Sequence, residues 1–248
     1  MTLAEHLSEI RRRFLITALS LVLLGVVSFI FYPEILHFLQ RPYCHASPRR
    51  CTFLVTNPLD GLSLRVKIAF YGGLFFSLPV ALWQAWRFVT PGFKAQEKRY
   101  AVPFVAGSVV LFCAGVTLAY FSFAAAIQFL QNVGGPSLTS FYDPVKYFSL
   151  ILLMMFVFGL TFEFPVVLIA LELAGVVSSR QLLRAWRYAL IVITITSAVI
   201  TPSGDPFSMM ALAVPLTFFY FASIAVGKIC KKSPCIATVK GSASTSYL

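Results

Sequence analysis

Charge is scarce in this chain. Asp, Glu, Lys and Arg make up 12% of its 248 residues, about half the share found in soluble domains, and only nine side chains are acidic. With 58% hydrophobic residues and a mean hydropathy of +0.83, a water-soluble globular class is excluded. The sequence has no glycine-rich nucleotide-binding loop and no Ser-His-Asp or metalloprotease pattern, so covalent catalysis is not expected. Five cysteines and three histidines include no set with zinc spacing, and neither a metal nor a cofactor is expected. The net charge of +11 raises nucleic acid as a partner. The cations sit instead at the ends of apolar runs and form no basic face interleaved with aromatics, so no nucleic-acid partner is expected. No small-residue cleavage site closes the first apolar run, which reads as an anchor rather than a removed signal peptide.

What the chain does have is long uncharged runs. Spans of roughly 20 apolar residues are needed to cross a bilayer. Residues Phe14 to Pro33, Ile68 to Trp86, about Val102 to Leu130, Lys146 to about Ala174 and Phe207 to Val226 each meet that length, the fourth interrupted only by Glu163 and Glu172 and the last containing Pro215. Between Arg187 and the turn signal Thr201-Pro202-Ser203-Gly204 lies a shorter fifth run, Tyr188 to Ile200. At 1.5 Å per residue its thirteen residues reach about 20 Å, short of a hydrocarbon core of about 30 Å. The expected fold is an all-α integral membrane protein with six transmembrane helices. Residues 1–230 form one transmembrane domain and the low-complexity tail 231–248 is expected to be disordered.

Six spans place both termini on one side. Fourteen of the twenty Lys and Arg fall in the two terminal segments and the even-numbered connections, six in the others. The positive-inside rule then puts both ends in the cytoplasm. The halves of the chain do not repeat each other in segment length or charge placement.

The stretch "AEHLSEIRRRFLI" opens the chain. Thr2 to Glu5 has the form of a capping box, and Leu3, Leu7, Ile10 and Phe14 make one apolar stripe, which predicts an amphipathic helix on the membrane surface ahead of the first span. His6, Glu9 and Arg13 share another face, expected to meet the cytoplasm. Two readings of Glu9 are open here. It is either half of a surface ion pair with Arg12 or Arg13, contributing about 0.3 to 0.5 kcal/mol, or a ligand-binding acid. A second acid, Glu97, stands in "FVTPGFKAQEKRYAVP", inside a basic cluster on the same side of the membrane. Two carboxylates steadied by local cations suit a ligand with paired guanidinium groups, because Arg binds carboxylates through a bidentate fork. Arg11 to Arg13 and Lys98-Arg99 would repel ligands offering only general positive charge.

"HLSEIRRR" closely resembles the HLxELRxR signature of the TatC family, the polytopic core of the twin-arginine protein translocase, with Ile10 where Leu is usual. So do "SLPVALWQAWRFVTPGFKAQEKR", "FGLTFEFPVVL" and "TPSGDPFSMMALAVPL", in order from about Leu3 to Lys228. The resemblance implies a bacterial inner-membrane receptor that binds signal peptides bearing two adjacent arginines on folded precursors. It implies single-span partners of the TatA and TatB type, and assembly with further copies of itself in contact with membrane lipid. Carried over by motif, the recognition site comprises Glu9, Arg13, Phe88, Glu97 and Arg99. Pro42 and Pro79 match family prolines, Glu163 the buried acid of the fourth span and Asp205 the acid of the last outer loop. The short fifth span also fits the family.

The insert "CHASPRRC" and the tail lie outside the resemblance. Cys44 and Cys51, on the side expected to be oxidising, are candidates for a disulfide. Glu163 lies within a span, where a charged carboxylate costs about 2.5 to 3.5 kcal/mol, so it must be neutral, paired or facing a wet cavity. Tyr71, Trp83, Trp86 and Trp186 read as packing or interface aromatics. The alternative function is a proton- or ion-coupled small-solute transporter using Glu163 and Asp205, against which stands the missing internal repeat.

Overall fold

The computed structural model describes residues 3–46, 53, 55, 57–89, 101–134, 143–173, 176–201 and 205–232. Among these, every regular element is helical: α1 (Leu3–Ile30), α2 (Tyr32–Ala46), α3 (Asp60–Val89), α4 (Ala101–Gly134), α5 (Pro144–Thr161), α6 (Phe164–Leu173), α7 (Ser179–Arg184), α8 (Trp186–Ile200) and α9 (Pro206–Lys232). Five stretches are long and apolar enough to cross a membrane: Ser8–Ile30, Asp60–Arg87, Phe104–Phe129, Pro144–Glu172 and Pro206–Lys228. The sixth apolar helix, α8, has only 15 residues, about 22 Å, which matches the short fifth span expected from sequence.

The helices pack in sequence across the bundle. α1 lies on α3, α3 on α4 and α5, and α9 fills the space between α4, α6 and α8. Phe123, Tyr147, Phe148, Ile151, Met154 and Phe158 of α4 and α5 form the centre of the core. Small residues set the closest approaches. A Cβ on Gly73 would lie 2.7 Å from the Leu21 carbonyl and 3.0 Å from the Gly25 Cα, so α1 and α3 touch backbone to backbone. Gly115 and Gly159 do the same for α4 and α5, where a Cβ on Gly115 would lie 2.8 Å from the Phe158 carbonyl. In lipid such contact replaces the hydrophobic effect as the source of helix association.

Three features differ from the sequence reading. The N-terminal segment is helical as expected but continuous with the first span, because no residue between Leu3 and Ile30 breaks the ladder. Ile10 and Phe14 are exposed, open to lipid, whereas Arg13, expected to face the cytoplasm, points at α3. Next, the connection between the first two spans contains α2. Leu39 and Tyr43 of this helix are buried, with Ile35 and Leu36 packed beside them, one face at helical spacing. Pro33 ends the α1 ladder because it cannot donate to Phe29, and the Phe29 carbonyl is met instead by Arg65 Nη2 at 3.5 Å. Pro42 leaves the Phe38 carbonyl without its helical donor in the same way, and the Tyr120 hydroxyl donates to it at 3.0 Å. Last, the fourth span is broken into α5 and α6 at Phe162 and Glu163. Pro165 removes the next donor, and Glu163 N turns back to Leu160 O at 3.1 Å.

Cys44 is disulfide-bonded, and its partner lies outside the described residues, as does Cys51; Cys113 is a free thiol exposed on α4. The tail from 233 onward is likewise outside them, while Lys231 and Lys232 close α9.

Two measurements check these readings. Gly73→Ala should destabilise the detergent-solubilised protein by about 1 to 3 kcal/mol, since main-chain atoms of α1 cannot swing aside. Gly107→Ala, with nothing within 4 Å of the added methyl, should be neutral or stabilising by up to about 1 kcal/mol. Paired thermal melts separate the two. For the disulfide, Cys51 is the proposed partner of Cys44, and an unreduced digest should contain the linked peptides. Free thiols at both positions would reject the pairing.

Candidate functional site

The amino-terminal part of α1 carries the first sequence-predicted site residues. Glu9 and Arg13 are one helical turn apart, so their side chains meet on the same face. Arg13 donates from Nε to Glu9 Oε1 at 3.2 Å, and from Nη2 to the same oxygen. Its remaining nitrogen, Nη1, donates to the Gln84 carbonyl of α3 at 3.1 Å. Gln84 lies near the C-terminal end of α3, where the helix dipole favours a cation. The Arg13 side chain is consequently only 15% exposed, against 32% for Glu9. One guanidinium thus fixes Glu9 and ties it to the end of the neighbouring span.

Phe88 belongs to the last turn of α3, one turn beyond Gln84. Trp86 of the same turn stacks on Phe104 at the start of the next span, with ring centroids 4.1 Å apart, and so holds the ends of α3 and α4 together. Glu97 and Arg99 lie between those ends and outside the described residues. The structure therefore brings Glu9, Arg13 and the end of α3 that bears Phe88 together.

The remaining predicted residues occupy other parts of the bundle. Glu163 sits in the break between α5 and α6, is 7% exposed, and lies across from the buried Ser108 of α4. Its Oε1 has no hydrogen-bond partner. Asp205 is buried and caps α9: its Oδ2 accepts from Ser208 N at 2.6 Å and its carbonyl from Met209 N at 3.2 Å. Pro42 is buried within α2, whereas Pro79 is exposed along α3.

Sequence reasoning missed three contributors. Gln84 acts through its backbone carbonyl, which no side-chain motif announces. Ser108 is one of several serines in apolar helices and acquires meaning only from Glu163 across the helix interface. Glu172 is 1% exposed, and its carboxyl group fills the place where any side chain at Gly227 would go, so α6 and α9 meet there. A glycine late in the last span opposite an acid late in the fourth was the available signal. Among the described residues no cluster of His, Cys, Asp and Glu is arranged to hold a metal ion.

Comparison with known proteins agrees with this architecture. The family model for TatC, Sec-independent protein translocase protein, matches residues 5–215. A Sec-independent protein translocase protein TatC from Frankia casuarinae is 38% identical over 92% of this chain and 65% of its own length. One from Synechocystis is 36% identical over 94% of this chain and 90% of its own. A crystal structure of the twin-arginine translocase receptor TatC superimposes with a TM-score of 0.77 at 30% identity, covering 92% of this chain and all of the other. Nothing in these relatives supports the small-solute transporter. The continuous match through five spans and the short α8 leaves one conclusion: the chain belongs to the TatC family of Sec-independent protein translocase proteins.

Proposed function

We propose that this protein is the receptor and core subunit of a twin-arginine translocase. It binds the signal peptides of folded precursors, assembles with single-span TatA- and TatB-type subunits and with further copies of itself, and acts by binding rather than by covalent chemistry. Its setting is a bacterial cytoplasmic membrane with both termini on the cytoplasmic side, where fourteen of its twenty Lys and Arg would then lie. The observation that carries this reading is Glu9, held by Arg13 against the end of the span from which the segment with Glu97 departs. An ionised carboxylate offers about four acceptor sites, so Glu9 can serve Arg13 and a client guanidinium together. Glu97 supplies the second acid in this scheme, with Phe88 and Arg99 beside it.

The test is binding of a twin-arginine signal peptide and its twin-lysine counterpart to wild type, Glu9→Gln and Glu97→Gln. A charge-assisted fork contributes about 1.5 to 3 kcal/mol, so losing one should weaken twin-arginine binding roughly tenfold to a hundredfold. Twin-lysine binding should fall less, because an ammonium lacks the planar fork. If wild type shows no preference for arginine, or neither variant narrows it, the two acids are surface ion-pair partners only.

Glu163, buried with Ser108, is the proposed polar contact for a partner's transmembrane helix. Glu163→Gln keeps hydrogen-bonding capacity and removes the ionisable group, so folding should persist while co-purification of single-span partners falls. Unchanged co-purification would remove Glu163 from the interface.

A further inference from the structure

The three arginines of the opening stretch do not share one environment. Arg13 faces α3, whereas Arg11 and Arg12 share an open face on the side of α1 turned away from α3 with Ser8, Leu15, Ile16 and Leu19. These six positions follow one another at spacings of three, one, three, one and three, a single helical stripe. Among the described residues neither Arg11 nor Arg12 has an ion-pair partner, in contrast to Arg13. Below them the wall is apolar and open, Leu15 being 57% and Leu19 61% exposed. From Arg12 to Leu19 the stripe descends about 10 Å into a half-bilayer of about 15 Å.

From this we propose that this face is a binding site for one anionic phospholipid. Its phosphate is held between the Arg11 and Arg12 guanidinium groups, with the Ser8 hydroxyl one turn above. The upper part of one acyl chain lies along Leu15, Ile16 and Leu19. The charge pattern selects the occupant. A neutral apolar helix would leave two guanidinium groups unpaired at the interface, and a free anion would leave the apolar wall uncovered. A lipid with a negative headgroup satisfies both ends. Guanidinium is suited to this because its planar fork grips two phosphate oxygens at once.

The experiment is native mass spectrometry of the full chain in neutral detergent, titrated with phosphatidylglycerol or phosphatidylcholine. Each interfacial arginine favours an anionic lipid about fivefold, so the wild type should retain phosphatidylglycerol about thirtyfold better than phosphatidylcholine. Arg11→Gln/Arg12→Gln should lose most of that preference. Arg180→Gln/Arg184→Gln, which removes the same charge from exposed positions of α7, should keep it. In the wild type alone, raising salt from about 0.05 M to about 0.5 M should cut the preference several-fold. Equal retention of the two lipids, equal loss in both double variants, or indifference to salt would overturn the proposal. So would displacement of phosphatidylglycerol by equimolar inorganic phosphate, or a lipid-free dimer that only the Arg11→Gln/Arg12→Gln variant disperses.

Discussion

A carbonyl whose helical donor is replaced by proline must find another partner, and this constraint organises the end of the bundle that carries α2. Proline is the usual way to bend or stop a membrane helix, yet each proline strips the carbonyl four residues earlier of its donor. Two of the carbonyls freed here are met from another helix. Phe29, released by Pro33, faces Arg65 of α3, and Phe38, released by Pro42, receives the Tyr120 hydroxyl of α4. The Tyr147 hydroxyl of α5 adds a contact to Leu39 at 3.4 Å. The helix α2 is therefore held by donors from two spans, α4 and α5, with Arg65 of α3 closing the end of α1 just before it, and those donors can act only if the spans stand where they do. Proline positions and tertiary structure determine each other.

Lipid as the solvent changes what holds helices together. Leu against Leu gains little when lipid tails are equally apolar, so association depends on how closely backbones approach and on the few polar groups between them. Gly25 and Gly73 let α1 reach α3 backbone to backbone within the spans, and Arg13 fastens the two again at their ends. Gly227 plays the corresponding part for α9, leaving room for the Glu172 carboxyl group. Each contact is small in area. Its contribution comes from being unavailable to lipid.

These facts also explain what was legible in the sequence. The spans were, because an uncharged run of sufficient length has few other fates, and even the brevity of α8 could be counted from Arg187 to Thr201. The helix α2 was not, since Pro42 and its mixed polarity read as loop until Tyr120 and Tyr147 are seen to complete it. The opening stretch was legible only in part. Its stripe of Leu3, Leu7, Ile10 and Phe14 reads as lying on the membrane, and Ile10 and Phe14 are exposed where they can face lipid at no loss. The face of Arg13 was the part misread. The polar residue Arg13 takes the protein side, where carbonyl and carboxylate acceptors wait. Glu9 and Glu97 were each visible as acids among cations. That Glu9 is fastened to the end of α3 through a backbone carbonyl was not, because Gln84 is 71 residues away from Arg13.

Helix geometry accounts for why three adjacent arginines are not redundant. Successive residues are turned by about 100°, so Arg11, Arg12 and Arg13 cannot all face the same neighbour. Only Arg13 is at once one turn below Glu9 and opposite Gln84. A cation at Arg12 would lie on the open face of α1 rather than toward α3, and one at Arg11 still further round from Arg13, whatever the length of its side chain. Lysine at position 13 would also fall short: its single ammonium must choose among acceptors that the Arg13 fork engages together, two nitrogens on the carboxylate and a third on the carbonyl. The position and the chemistry of Arg13 are thus fixed by one requirement, to hold an acid still at the end of a helix.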